Sequence, residues 1–146
     1  MKTIVAQVYV KKDDKILMVQ ENKIEKKGKW NMPAGKLEEN ESIIDAAIRE
    51  TKEETNINVK ITGLIAIHET ITTIGNLIIL YFYGEYLDGK IKFDTNEIAD
   101  AKWMTVEEIK SLDKKEIRGG NTIDEILEQA EHDIIPLNRI VINNEL

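Results

Sequence analysis

Glu50, Glu53 and Glu54 stand at i, i+3 and i+4. If the segment is helical, that spacing puts three carboxylates side by side on one face. Alone they would repel each other and destabilise the helix. A divalent cation removes the objection, and a donor set made only of oxygen suits a hard ion, Mg²⁺ or Mn²⁺. The plainer reading is a solvated acidic face, with Arg49 and Lys52 supplying salt-bridge partners.

The stretch around these residues reads as a helix with a defined start and stop. Ser42 is a suitable N-cap, and Asp45 places a negative charge at the positive end of the helix dipole. Ile44, Ala47, Ile48, Thr51 and Thr55 form a second, mostly apolar arc able to pack on a sheet. Asn56 stands where the helix should end, and Asn tolerates the left-handed conformation that closes a helix. Pro33-Ala34-Gly35 predicts a tight loop feeding the helix.

Gly35, Glu41, Arg49, Glu50, Glu53, Glu54 and Ile57 fall in a fixed register. In that register the segment resembles the Nudix box: Gly, five residues, Glu, seven residues, then Arg-Glu-U-x-Glu-Glu-x-Gly-U, where U is bulky and aliphatic. Two positions depart. Thr51 replaces an aliphatic residue on the packing arc, and Asn56 replaces the final Gly. Trp30-Asn31-Met32-Pro33-Ala34-Gly35 also resembles the family's lead-in, with Ala34 in place of a common Gly. That lead-in is similar to a bacterial branch acting on nucleoside tri- and diphosphates and related pyrophosphates.

The resemblance implies an α/β protein with the Nudix fold, a mixed β-sheet sandwiched between α-helices. It implies hydrolysis of a pyrophosphate bond in a nucleoside diphosphate linked to another group, with Mg²⁺ as the cofactor and Mn²⁺ as an alternative. Glu50, Glu53 and Glu54 would hold the metal, with a backbone carbonyl from Ala34 or Gly35. Glu41 and Arg49 would support the site by orienting a carboxylate. Glu50, Glu53 and Glu97 are the catalytic candidates, and the base stays open between the Glu50 position and a residue outside the box such as Glu97. Asp94 and Asp100 are weaker alternatives to Glu97. Isopentenyl-diphosphate isomerases share the fold but use a catalytic Cys, which this chain lacks. A nucleotide-sensing domain that binds without hydrolysis is the alternative function.

The elements that must position these residues follow from hydrophobic patterning. Thr3 to Val10 and Ile16 to Gln20 predict a hairpin around a polar Lys11–Lys15 turn. Glu21 to Lys29 reads as a charged loop whose lysines are candidate phosphate contacts, and Trp30 is expected to pack under it. Asn58 to Glu69 reads as a strand bulged near Gly63, followed by a loop from Thr70 to Asn76. His68 is expected to be structural or solvated. Leu77 to Tyr86 predicts a buried central strand. Thr105-Val106-Glu107-Glu108 and Thr122-Ile123-Asp124-Glu125 both read as capping boxes opening helices. Arg118, beside Gly119-Gly120, is a further candidate phosphate contact.

With 146 residues, the chain is expected to be a single domain, 1–146. Having no Cys, it can form no disulfide, no Cys-ligated zinc site and no thiol nucleophile. A net charge of -7 argues against a nucleic-acid surface. The acidic total remains compatible with a phosphate substrate if a bound cation inverts the local charge. The apolar run at the N-terminus is interrupted by Gln7 and too short for a signal peptide, and no segment reaches membrane-span length. The expected partner is a small nucleotide or pyrophosphate, and the expected location is cytoplasmic. Oligomeric state and the particular substrate are not encoded in any motif.

Overall fold

The computed structural model describes residues 1–144. Its centre is β1 (Lys2–Lys12), which pairs in parallel with β6 (Gly75–Asp88) from Lys2↔Asn76 to Lys11↔Glu85. On its other side β1 meets β4 (Ala34–Lys36) and, at its far end, β2 (Lys15–Glu21). A two-residue turn at Asp13-Asp14 joins β1 to β2, and Asp13 takes φ 55° there. Such turns call for left-handed residues, and Asp accepts that conformation. β2 pairs with β3 (Trp30–Asn31) and with β7 (Ile98–Thr105). β5 (Asn58–Thr72) lies beyond β6, and β8 (Ile135–Pro136) closes part of its outer edge.

Alternation along β1 sends its side chains into two cores. Ala6, Val8 and Val10 join Leu17, Phe82 and Val59 beneath α1 (Ile43–Thr55). Tyr9 joins Ile16, Met18, Trp30, Met32 and Tyr81 beneath α3 (Thr122–His132), with Ile109 of α2 (Val106–Ser111) at the margin. The mixed sheet therefore carries helices on both faces, as the resemblance implies.

Helix α1 forms for the reasons legible in its sequence. Ser42 Oγ accepts the Asp45 N–H at 3.0 Å, a cap contributing about 1 kcal/mol. Asn56 closes the helix at φ 67°, and its N–H donates to the Lys52 carbonyl. Ala46, Ala47, Thr51 and Thr55 are buried, with Ile44 and Ile48 packed beside them. Thr51 and Thr55 hide their hydroxyls by donating back to Ala47 and Thr51 carbonyls, at 2.9 and 2.6 Å. This explains how Thr substitutes for an aliphatic residue on the packing arc.

Two local expectations change. The Thr70–Asn76 segment is the end of a long β5–β6 hairpin, with pairing continuing to Thr72↔Gly75. Backbone pairing there outlasts the apolar pattern, because Ile71 and Ile74 are exposed. Thr122 does not cap α3: Asn121 holds that position in helical backbone geometry with no side-chain hydrogen bond, so Thr122 is the first helical residue. A capping residue needs extended geometry to turn its oxygen onto the helix, and Gly119 and Gly120, at φ 79° and 57°, feed the chain in otherwise. The Thr105 capping box is formed in full. The strand before β6 is irregular at Gly63, where a side chain would strike Ile134.

Candidate active site

A cleft of about 650 Å³ opens between α1 and the start of α3. Its floor is the α3-side face of the sheet, made by Thr3, Val5 and Gln7 of β1 with Leu77, Ile79 and Tyr81 of β6. One wall carries Ala34, Gly35 and Lys36 of β4 with Glu50, Glu53 and Glu54 of α1. Arg118, Gly119 and Thr122 form the facing wall. Glu21, Lys23 and Glu97 complete the rim.

Helix α1 meets β4 at its carboxylates. The Ala34 N–H donates to Glu54 Oε1 at 3.0 Å. A Cβ on Gly35 would overlap the Glu50 carboxyl group, so only glycine lets that carboxylate lie against the loop backbone. Burial pushes the Glu54 carboxyl up to about 8; the Ala34 hydrogen bond opposes this, while the charges of Glu50 and Glu21 add to it. Burial also raises Glu50, against the pull of Arg49. Two crowded, desolvated carboxyl groups supply oxygen donors of the kind that a hard cation takes.

Arg49 organises the outer side of this pair. Its Nε and Nη2 reach Glu41 at 2.6 and 3.0 Å, a two-pronged bond. Its Nη1 donates to Glu50 at 2.8 Å and to Glu53 at 3.2 Å, and Nη2 also donates to the Lys36 carbonyl at 3.1 Å. The hydrogen bond from Arg49 holds the Glu41 carboxylate below its ordinary range. Glu41 thus anchors Arg49, and Arg49 in turn contacts Glu50 and Glu53.

The three helix carboxylates do not converge as a single cluster. Glu53 turns outward to Arg49 with its side chain 57% exposed. Among the described residues, no three acidic or histidine side chains lie close enough to hold a metal ion together. Helical spacing puts Glu50, Glu53 and Glu54 on one face, but Glu53 lies at its exposed rim, sharing Arg49 Nη1 with Glu50, while Glu54 is buried against the loop. Glu50 and Glu54, with the Ala34–Gly35 backbone, are the donors brought together. Glu97 does line the cleft, exposed in the turn before β7. That turn is pinned because the Asn22 N–H donates to the Glu97 carbonyl at 3.0 Å. Asp94 and Asp100 instead accept from nearby backbone N–H groups, of Asn96 and Ala101.

Other sequence readings hold in part. Trp30 packs in the core, as expected. Lys23, in the charged loop between Glu21 and Trp30, lines the cleft. His68 also lines the cleft, edge-on to Tyr81 with ring centroids 4.8 Å apart. Sequence reasoning missed Glu21, whose side chain is only 11% exposed beside Arg118. It also missed Gln7 and Asn31: Gln7 Nε2 donates to Asn31 Oδ1 at 2.5 Å and to the Met32 carbonyl at 3.2 Å. This amide pair fixes the loop entering β4. The one signal in the sequence was a polar Gln inside an apolar strand.

The chain resembles known proteins over most of its length. Putative nudix hydrolase 1 of Caenorhabditis elegans is 31% identical over 141 residues, 88% of this chain and 37% of the worm protein. Human 8-oxo-dGDP phosphatase is 36% identical over 66 residues, 45% of this chain and 20% of its own length. The chain thus spans well under half the length of these relatives. A solved NUDIX hydrolase from Nitrosomonas europaea superposes with a TM-score of 0.84 at 26% identity, covering 98% of both chains. A bifunctional NMN adenylyltransferase/ADP-ribose pyrophosphatase from Francisella tularensis, solved with AMP and a manganese ion, superposes at 0.74. It is 26% identical over 88% of this chain and 42% of its own. No helix among the described residues is long and apolar enough to cross a membrane. The NUDIX domain model matches residues 1–126, a span that includes the hairpin, the box helix and every wall of the cleft; the chain belongs to the Nudix family.

Proposed function

We propose that this protein hydrolyses a phosphoanhydride bond in a nucleoside diphosphate derivative, with a divalent cation, Mg²⁺ or Mn²⁺, held by Glu50 and Glu54. The observation that carries this reading is the Glu50–Glu54 pair, desolvated and crowded against the Ala34–Gly35 backbone at the edge of a nucleotide-sized cleft. Arg49 pairs with Glu50, but among the described residues buried Glu54 has no ion-pair partner, and such a carboxylate is costly unless a positive ligand joins it. The names of the relatives agree in kind, since they describe a phosphatase of 8-oxo-dGDP and a pyrophosphatase of ADP-ribose.

Each residue then has a task. Glu54 and Glu50 supply carboxylate oxygens, and a carbonyl of Ala34 or Gly35 adds a neutral one. Glu53 is close enough on the helix to swing from Arg49 and add a further oxygen. Arg49, anchored by Glu41, keeps the Glu50 carboxylate turned toward the cleft. When bound, the cation supplies charge neutralisation at the diphosphate and a lower pKa for the attacking water. Glu97, Glu50 and Glu53 are the candidates to accept the proton from that water, all three lining the cleft. Glu97 is the candidate outside the Arg49 network. Water attacks phosphorus, the bridging P–O bond breaks, and the second phosphate group leaves.

The test is a hydrolysis panel of nucleoside triphosphates, nucleoside diphosphates, ADP-ribose and dinucleoside polyphosphates, with Mg²⁺ and with excess chelator. The expected result is release of a nucleoside monophosphate from at least one substrate, abolished by chelation. Nucleotide binding with no turnover across the panel would refute hydrolysis and leave a ligand-sensing domain.

A further inference from the structure

We propose that Arg118 recognises a further phosphate on the substrate, beyond the anhydride that is cleaved, and that Glu21 aims its guanidinium. The inference rests on the hydrolase reading above and adds to it a discriminating contact on the facing wall.

The position of Arg118 is fixed by its backbone. Its N–H donates to the Trp30 carbonyl at 3.0 Å. Ile117, just before it, is buried and forms a bridge with Trp30. Gly119 and Gly120 then turn the chain away through positive φ, which residues with a Cβ resist. Arg118 therefore starts from a defined place on the α3 side of the sheet, whereas the α1 carboxylates approach from the other layer.

Its side chain is incompletely used. Among the described residues, Arg118 makes one polar side-chain contact, from Nη1 to Glu21 Oε1 at 3.4 Å. That bond is long and single, while a guanidinium carries five N–H donors whose fork matches a phosphate. Arg49 is the contrast within the same cleft region: its donors are occupied by Glu41, Glu50, Glu53 and the Lys36 carbonyl. Arg49 belongs to the scaffold, and Arg118 has donors to offer a ligand. The burial of the pair is also unequal, with Glu21 at 11% and Arg118 at 41% side-chain exposure. Glu21 can keep one N–H while the rest of the fork faces the cleft.

The charge of the cleft gives this donor set its purpose. Five carboxylates line it (Glu21, Glu50, Glu53, Glu54 and Glu97), against the cations Lys23, Lys36 and Arg118. A substrate with an additional phosphate would be repelled there unless a fixed cation met it. Arg118 is the cation with a guanidinium fork and a carboxylate already orienting it.

The experiment compares two probes whose α–β bridge cannot be hydrolysed, α,β-methylene-ATP and α,β-methylene-ADP, which differ by one terminal phosphate. Calorimetry in Mg²⁺ gives both dissociation constants for the wild type, Arg118→Ala, Arg118→Lys, and Arg118→Ala combined with Glu21→Gln. The double variant guards against misfolding caused by a buried, unpaired Glu21. The wild type should prefer the triphosphate by about tenfold or more, the size of a charge-assisted contact. That ratio should fall to within about twofold of unity in both alanine variants, and Arg118→Lys should retain part of it. An unchanged ratio in either folded alanine variant overturns the proposal, as does a wild type with no preference or no binding of either probe. A purely structural role for Arg118 would weaken both probes together and leave the ratio intact, which also overturns it. Failure of the hydrolase reading shows separately, as absence of Mg²⁺-dependent turnover.

Discussion

Gly35→Ala should remove activity while sparing the fold. The φ of Gly35 is one that other residues adopt, so alanine meets no backbone penalty there. The obstacle is steric: the new Cβ would overlap the Glu50 carboxyl carbon and both its oxygens. To restore ordinary carbon contact, the carboxylate must withdraw by roughly 1.5 Å. It is the end of a flexible side chain, so a rotamer shift costing about 1 kcal/mol can accommodate the methyl group. That predicts a fall in Tm of only a few degrees, measured by circular dichroism. The displaced carboxylate, however, loses its place against the loop and its 2.8 Å hydrogen bond from Arg49. A misplacement of about 1 Å in a reacting array costs on the order of 100-fold in rate. The expected kcat on the best panel substrate is therefore at least about 100-fold lower. Activity within about threefold of wild type, with the fold intact, would refute the claim that Glu50 must lie against Gly35.

Arg49→Lys keeps the charge but loses the fork. A lysine cannot hold Glu41 by two bonds while also reaching Glu50 and Glu53, so kcat should fall by roughly tenfold or more with a smaller change in KM. Steady-state kinetics of the variant would check this, and unchanged kcat would contradict it. A second prediction concerns α3, whose end is tied to β1 because Tyr9 Oη and Lys11 Nζ both donate to Glu131, the latter at 2.7 Å. Burial alone would raise Glu131, but the bonds from Lys11 and Tyr9, with the nearby charge of His132, hold it below the ordinary carboxylate range. Its stabilising effect is then full above that range and lost as pH falls through the lowered value. Glu131→Gln should lower Tm at neutral pH, with the difference closing in acid; a gap that persists or widens in acid would contradict the assignment.

The parts legible in the sequence are those set by neighbours in the chain. Ser42, Asn56 and the Thr105 capping box act within one helical turn, and each took its expected geometry. The register of Gly35, Glu41, Arg49, Glu50 and Glu54 was readable through the family resemblance, and helix α1 turns the spacing of Glu50, Glu53 and Glu54 into a face. Contacts across long sequence distances were not readable. Glu21 meets Arg118 across 97 positions, and Gln7 meets Asn31 across 24, through pairings that only the folded sheet creates. Glu53 illustrates a subtler limit. Its place on the helix was right, but the rotamer depends on which of several carboxylates Arg49 holds. The Thr122 capping pattern failed because a motif of residue types says nothing of the backbone that enters it, here bent by two glycines.

The central claim is that Glu54 helps hold the cation on which hydrolysis depends. The most direct measurement is the initial rate on the best panel substrate as a function of Mg²⁺ concentration, for the wild type and Glu54→Gln. Glutamine keeps the side chain's size and can still accept from the Ala34 N–H, so the fold should persist. The variant should lose at least about 100-fold in rate at moderate Mg²⁺ and need a much higher concentration to recover any of it. A Glu54→Gln enzyme with the wild-type rate and the wild-type Mg²⁺ dependence would contradict it.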